Sequence, residues 1–298
     1  MSENVDTQEE RLSVRDVFGR TAEWQVRYAQ SPTMSQAGLV SGRITSNTGV
    51  IAMKRWVPAD LARHDAAACD ELEREVMAGV RLADRYPADR YPAELVRLIG
   101  YNLDDVEPFV IVAPVHGNPI DDSGQLSPDA RESFEVSLLR GLVHLAEAGV
   151  THGNIAPSTV YWDGTGVQIR DFGQATVTTE DGKAVGGVDV WAAGSLILRA
   201  ATGRTGLAAV EGRGQALRDL LDGVFDDDPD ARPSADTLLG RLGVTVRVPA
   251  EDLAGWQRFE EGRVRFDQTL REKWPRPQVI PPPAPPVRRR RWGFGAGR

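Results

Sequence analysis

The spacing of apolar residues changes along this chain, from alternation before residue 115 to a helical repeat after it. Residues 24–28 alternate between apolar and polar, and residues 39–44 and 49–56 flank an Asn-Thr-Gly turn, as in a β-hairpin. Two more strands are predicted at 94–101 and 108–115, and one helix at 65–83. The pattern therefore places a strand-rich region first in the chain.

The second half of the chain is predicted to be mainly helical. A helix is expected over 128–148, with Ser127 as its N-cap and Pro128 in its first turn. Short strands are expected at 160–162 and 167–170, and further helices at 188–201, 217–225 and 234–242. A strand-rich region followed by a helix-rich region is typical of an α+β protein.

Composition excludes several classes of protein. The chain has 298 residues and a single cysteine, Cys69, so an intramolecular disulfide and a cysteine zinc site are excluded. No run of 18 apolar residues is present, so no transmembrane segment is expected. The net charge is −8, although residues 276–298 contain six arginines and no acid. The rest of the chain is therefore acidic, which argues against nucleic-acid binding. The single cysteine predicts a cytoplasmic protein.

Both ends of the chain differ from its centre. Residues 1–22 are polar, and we expect this N-terminal segment to be loosely held. Residues 248–275 are predicted to form an amphipathic helix that ends at Pro275. Residues 276–298 contain a proline-rich stretch, four consecutive arginines and a glycine-rich end, so a disordered tail is expected. We expect a protein partner, which the 281–298 segment could recognise. The arginines of this segment could be attracted either to an acidic protein or to anionic lipid.

Several short motifs follow one another in a fixed order. They are Ile-Ala-Met-Lys at 51–54, His-Gly-Asn at 152–154, Asp-Phe-Gly at 171–173, Asp-Val-Trp at 189–191 and Asp-Pro-Asp-Ala-Arg-Pro at 228–233. In this order they resemble the eukaryotic-type Ser/Thr protein kinase superfamily, over about residues 24–242. The resemblance implies a two-lobed α+β fold, with a small antiparallel β-rich N-lobe at 23–115 and a larger helical C-lobe at 116–247.

The resemblance also implies a nucleotide site. Lys54 would hold the phosphates and Glu75 would orient Lys54, with Glu71 as the alternative helix partner. Asp171 would bind magnesium. Ala52, Ala113 and Val115 would contact the adenine, so that ATP and Mg²⁺ are the implied cofactors.

The sequence departs from the kinase pattern where catalysis takes place. Asn154 stands in place of the general base, Ala156 in place of a lysine and Thr159 in place of a metal-binding asparagine. Only one glycine lies in the segment that would cover the phosphates, and Tyr161 and Arg170 are expected to intrude into the cleft between the lobes. No Ala-Pro-Glu motif occurs between Gly173 and Asp189.

These departures favour a catalytically impaired member of the superfamily, a pseudokinase that acts as a binding, scaffold or regulatory module. The alternative is a divergent ATP-dependent phosphotransferase that uses Lys54, Glu75 and Asp171. A third interpretation, an active Ser/Thr kinase, conflicts with Asn154, Ala156 and Thr159.

Overall fold

A computed structural model describes residues 9–29, 31–35, 38–64, 66–178, 186–203 and 214–246. All of them belong to the first of two units, Met1–Phe259; the second is Glu260–Arg298. The predicted helix at 248–275 and the predicted tail at 276–298 lie outside the described residues. In the part of the chain that is described, no helix is long and apolar enough to cross a membrane.

The described chain contains twelve strands and six α-helices. The strands are β1 (Glu9–Arg15), β2 (Thr21–Tyr28), β3 (Thr33–Met34), β4 (Val40–Ser46), β5 (Ile51–Trp56), β6 (Leu98–Asn102), β7 (Phe109–Val112), β8 (Asn118–Pro119), β9 (Val150–Thr151), β10 (Val160–Trp162), β11 (Val167–Ile169) and β12 (Thr176–Val177). The helices are α1 (Ala59–Ala62), α2 (Ala66–Arg85), α3 (Pro128–Glu147), α4 (Gly187–Thr202), α5 (Gln215–Leu221) and α6 (Ala235–Arg241). Short 3₁₀ helices occur at Ala88–Arg90, Ile120–Ser123 and Phe172–Gln174.

Six antiparallel strands form a closed sheet, called the barrel below. Their order is β2-β1-β6-β7-β5-β4, and β4 pairs again with β2 to complete the ring. The short β3 adds to β4 outside the ring. Strand alternation sends every second side chain inward. The apolar residues of this core are Leu12, Val14, Val26, Tyr28, Val40, Ile44, Ala52, Trp56, Phe109 and Ile111.

The predicted two-lobed kinase-like fold, with a small antiparallel β-rich N-lobe and a larger helical C-lobe, is wrong. The structure has a closed six-stranded antiparallel barrel accompanied by helices. The cause is β1, which lies in the segment that was expected to be loosely held. This strand pairs with β2 along its whole length and with β6 through Arg15 and Tyr101, so it joins the edges that would otherwise stay open.

The helices α3 to α6 and the short strands β8 to β12 form a second region, called the helical region below. The predicted start of α3 is confirmed, because the Ser127 side chain accepts a hydrogen bond from the Ala130 N–H at 3.4 Å. One face of α3 is buried against α4 and α6. Its buried apolar residues are Phe134, Leu138, Leu139, Leu142, Val143 and Leu145.

Helix α2 contacts both the barrel and the helical region. Its C-terminal half contributes Ala78 and Leu82 to the core of the helical region. It also contacts β6, β7 and the 3₁₀ turn Phe172–Gln174. The elements that carry Lys54, Glu75 and Asp171, namely β5, α2 and this turn, therefore approach one another.

Candidate functional site

Lys54 and Arg55 are adjacent on β5 and lie on opposite faces of the strand. Because side chains alternate along a strand, Lys54 extends into the barrel core with Ala52 and Trp56. Arg55 extends outward to α2. The predicted residues are consequently divided between two separate polar clusters.

The first cluster lies inside the barrel. The Lys54 Nζ donates to Glu10 Oε1 at 2.7 Å and to Oε2 at 2.9 Å. The Tyr28 hydroxyl donates to Glu10 Oε2 at 2.5 Å. Burial and the Glu10 carboxylate both raise the pKa of Tyr28, so its phenol keeps its proton. Glu10 therefore receives the charge of Lys54, in place of the predicted partner Glu75.

Aromatic rings surround the Lys54 ammonium in this cluster. The Nζ lies 4.8 Å from the ring centre of Trp56 and 5.1 Å from that of Phe109. Both distances are within the range of cation–π attraction. Lys54 is only 1% exposed, so its charge is satisfied within the barrel and does not face an open pocket.

The second cluster joins β5, α2 and the turn after β11 through Arg55. Its Nη1 donates to Glu75 Oε2 at 2.5 Å, and its Nη2 lies 3.0 Å from Asp171 Oδ1. Burial lowers the pKa of Arg55, but the two carboxylates raise it by more. The guanidinium thus occupies the place between Glu75 and Asp171 that the sequence assigned to Lys54.

Asp171 adopts an unusual backbone conformation. With φ 70° and ψ 71° it is left-handed, and within the described ranges no other residue except glycine has a positive φ. This conformation costs about 1–2 kcal/mol for a residue with a Cβ. The ion pair with Arg55 holds the Asp171 side chain toward β5, while the 3₁₀ turn Phe172–Gln174 is attached to α2.

That attachment includes Glu71, the alternative partner predicted for Lys54. Gln174 donates to Glu71 Oε1 at 3.1 Å, and Arg74 donates to the Gly173 carbonyl at 2.6 Å. Partial burial raises the pKa of Glu71, and the nearby charge of Asp171 adds to the effect. Neither Glu71 nor Glu75 contacts Lys54; both hold this junction together.

The surroundings of Asp171 do not fit a magnesium ion. A guanidinium is its nearest charged neighbour, and a cation would have to compete with it. Across the ranges that the structure describes, no group of three His, Cys, Asp or Glu residues is placed to hold a metal ion. We therefore derive no chemical step through Mg²⁺.

The loop at 152–159 is fixed by hydrogen bonds to α4 and by packing against the turn after β11. Asp189 accepts from the His152 N–H at 2.7 Å and from the Gly153 N–H at 2.9 Å. The His152 ring packs against Phe172, with ring centres 4.9 Å apart. Burial lowers the pKa of His152. His152 and Asp189 therefore connect the loop to the turn after β11 and to α4.

The three replaced positions of this loop have different surroundings. Thr159 is buried, its hydroxyl donates to the Asn154 carbonyl at 2.8 Å, and it accepts from the Ala156 N–H at 2.9 Å. Asn154 is exposed and Ala156 is half-buried. Thr159 thus closes the loop on itself and presents no free ligand.

The remaining predicted contacts of the nucleotide do not share one pocket. Ala52 is buried in the barrel core, whereas Ala113 and Val115 follow β7 and are half-buried. The Ala113 N–H donates to the Arg97 carbonyl at 2.8 Å. Arg170 and Tyr161, which were expected to intrude into a cleft, contact each other, with Arg170 Nη1 donating to the Tyr161 hydroxyl at 3.2 Å.

A surface cleft of about 500 Å³ lies elsewhere, between α3 and the hairpin of β10 and β11. Glu94, Arg140 and Gln168 are among its lining residues. Partial burial raises the pKa of Glu94. None of the residues that the sequence assigned to a nucleotide site lines this cleft.

Sequence reasoning missed Glu10, Tyr28 and Arg55. A signal for Glu10 existed, since Glu10, Leu12 and Val14 occupy alternate positions of one strand. The motif at 51–54 predicted that Lys54 contacts the acid on α2. Arg55, the next residue, makes that contact instead.

Comparison with known proteins does not assign a family. No protein-family model matches the chain, and no curated protein matches it.

Proposed function

We propose that this protein is a catalytically inactive binding module that regulates or assembles a protein partner. One observation carries the proposal: β5 directs Lys54 to Glu10 inside the barrel and Arg55 to Glu75 and Asp171 outside it. The charged groups that a phosphate site would need are thereby used in contacts between structural elements.

The loop at 152–159 supports the same proposal. Phosphoryl transfer needs a group that accepts the proton of the attacking hydroxyl and positive charge near the transferred group. The amide of Asn154 cannot act as a base at neutral pH, and Ala156 carries no charge. The Thr159 hydroxyl is already engaged by the loop backbone.

The alternative, a divergent ATP-dependent phosphotransferase, requires Lys54, Glu75 and Asp171 to act together. The structure separates Lys54 from the other two, and Arg55 neutralises Glu75 and Asp171. No contact among the described residues favours this alternative.

Under the proposal, the motifs that resemble protein kinases have an architectural role. His152, Phe172 and Asp189 connect the loop, the turn and α4 by the contacts given above. We further propose that the protein works in the cytoplasm and that a protein partner recognises it, with the proline- and arginine-containing 281–298 segment as one point of contact.

The test is a phosphotransfer assay with the full chain, radiolabelled ATP, Mg²⁺ or Mn²⁺ and generic protein substrates. We expect no incorporation, and no shift of the melting temperature with ATP. A double variant, Asn154→Asp with Ala156→Lys, restores the missing base and lysine, and we expect it to remain inactive because Lys54 stays with Glu10. Incorporation by the native chain that Asp171→Asn abolishes would contradict the proposal.

A further inference from the structure

An aromatic pair lies at the surface near the start of α4. Trp191 is 46% exposed, and Val188, three residues before it in α4, is 52% exposed. The Phe225 ring meets Trp191 edge to face, with ring centres 6.0 Å apart and planes at 90°. Exposed tryptophan is enriched at protein interfaces, where its flat ring offers a large contact area.

An acidic loop lies beside this pair. Asp226, Asp227, Asp228 and Asp230 are exposed. In the part of the chain that the structure describes, none of these four carboxylates forms an ion pair. The carboxylates of Asp226 and Asp228 accept hydrogen bonds from backbone N–H groups within the loop. Among the described contacts, the carboxylates of Asp227 and Asp230 accept none.

The Arg232 side chain holds the loop against α4 by hydrogen bonds to two backbone carbonyls. Arg232 donates to the Asp226 carbonyl at 2.8 Å and to the Gly187 carbonyl at 2.9 Å. A side chain at position 187 would collide with the Pro229 carbonyl, so glycine permits the close approach. Because Asp226 directly follows Phe225, the aromatic pair and the acidic loop are neighbours. We call Trp191, Phe225 and the four aspartates together the α4 surface.

We infer that the α4 surface binds an arginine-rich segment of a partner protein. This inference rests on the proposed binding function and names the chemistry of the partner. A guanidinium can stack on the exposed face of an indole and donate two parallel hydrogen bonds to a carboxylate. The α4 surface carries both features, and its four exposed carboxylates complement a segment with several arginines.

The same chemistry distinguishes this occupant from others. Lysine supplies charge but neither the planar stacking nor the paired hydrogen bonds. Nucleic acid and anionic lipid carry negative charge, and the four aspartates repel both. The occupant is therefore a polypeptide in which arginine is the main basic residue.

The experiment is a fluorescence anisotropy titration of the full chain against a labelled peptide of alternating arginine and proline. A lysine–proline peptide of equal length is the comparison. We expect the arginine peptide to bind at least about fivefold more tightly than the lysine peptide. The same titration is repeated in a chain with Arg288, Arg289, Arg290 and Arg291 replaced by glutamine, so that the chain supplies no competing arginine run.

Two variants of the α4 surface have matched controls. Asp227→Asn with Asp230→Asn removes two charges and keeps the loop hydrogen bonds; Glu23→Gln with Asp60→Asn removes two exposed charges elsewhere. Trp191→Ala is compared with Phe18→Ala, since Phe18 is an aromatic residue that is 72% exposed and distant from Trp191 in the sequence. We expect each α4 variant to weaken binding about tenfold and each control to change it less than twofold.

Equal affinity for the two peptides, or equal effects of the α4 variants and their controls, would overturn the inference. If Trp191→Ala lowers the melting temperature, the affinity of the Asp227→Asn with Asp230→Asn variant, compared with its control, decides whether the inference holds. Failure here leaves the phosphotransfer result unaffected, so the two proposals fail separately.

Discussion

The barrel and the helical region bury charged side chains in different ways. In the barrel, Lys54 is buried next to Trp56 and Phe109, and its charge is met by the half-buried Glu10, which also accepts from Tyr28. In the helical region, Asp189 lies at the edge of the core and binds two backbone N–H groups. The comparison shows that one region uses charge to complete its interior, while the other uses charge to fix a loop.

The largest expected effect comes from breaking the pair inside the barrel. Glu10→Gln leaves the buried ammonium of Lys54 without its counter-charge, and we expect a loss of about 3–5 kcal/mol in the free energy of unfolding. The measurement is urea unfolding followed by tryptophan fluorescence. The adjacent Glu9→Gln is the matched control. Glu9 forms an exposed ion pair with Arg27, and such a pair contributes less than about 1 kcal/mol to stability.

A double variant separates charge from packing in the same cluster. Glu10→Gln with Lys54→Met removes both charges, and we expect most of the lost stability to return, because no buried charge remains unpaired. If Glu10→Gln alone costs no more than Glu9→Gln, the barrel does not depend on this pair and the contrast between the two regions fails.

The second prediction concerns the edge of the helical core. Asp189→Asn keeps the size of the side chain but weakens its hydrogen bonds to His152 and Gly153, since an amide has one acceptor oxygen and no charge. We expect a loss of about 1–3 kcal/mol in the free energy of unfolding. Hydrogen exchange at the amides of residues 152 and 153 should accelerate more than exchange in the barrel strands. Uniform acceleration across the chain would show that the loop is not fixed locally.

The smallest prediction concerns Glu135, a buried acid on α3. Burial raises its pKa to about 7, and Arg131 opposes this only in part. The folded state therefore favours the protonated acid. The contribution of Glu135 to the free energy of unfolding falls as the pH rises from its unfolded pKa of about 4.5 toward 7, and the loss is complete above 7.

Substitution isolates the contribution of Glu135. Glu135→Gln should be more stable than the native chain by about 1–2 kcal/mol at pH 8, and the gain should shrink toward pH 5. The measurement is thermal unfolding of both chains from pH 5 to pH 8. Asp129→Asn, at an exposed position in the first turn of the same helix, serves as the control and should show no such pH-dependent gain.

Local features of the fold could be predicted from the sequence. The hairpin of β4 and β5 follows from the alternation around its Asn-Thr-Gly turn, and the start of α3 follows from Ser127 and Pro128. The closure of the barrel could not be predicted in this way. The alternation of Glu10, Leu12 and Val14 indicates a strand but not its partners, and the pairing of β1 with β6 joins residues far apart in the chain.

The candidate site was harder to predict than the elements that carry it. The Lys54 and Asp171 motifs indicated the correct neighbourhood, since β5, α2 and the turn after β11 do meet. A shift of one residue on a strand exchanges its two faces. Arg55 therefore stands where Lys54 was expected, and no local pattern distinguishes the two basic side chains.

The position of β1 at the start of the described chain affects how the protein folds during synthesis. Arg15 at the end of β1 pairs with Asp104, which follows it by 89 residues. While the chain emerges from the ribosome, β1 can pair with β2 but must wait for β6 before the ring closes. Contacts of such sequence separation slow folding and leave strand edges exposed in the interval. Until β6 has been synthesised, we therefore expect one edge of β1 to be available for pairing with other strands.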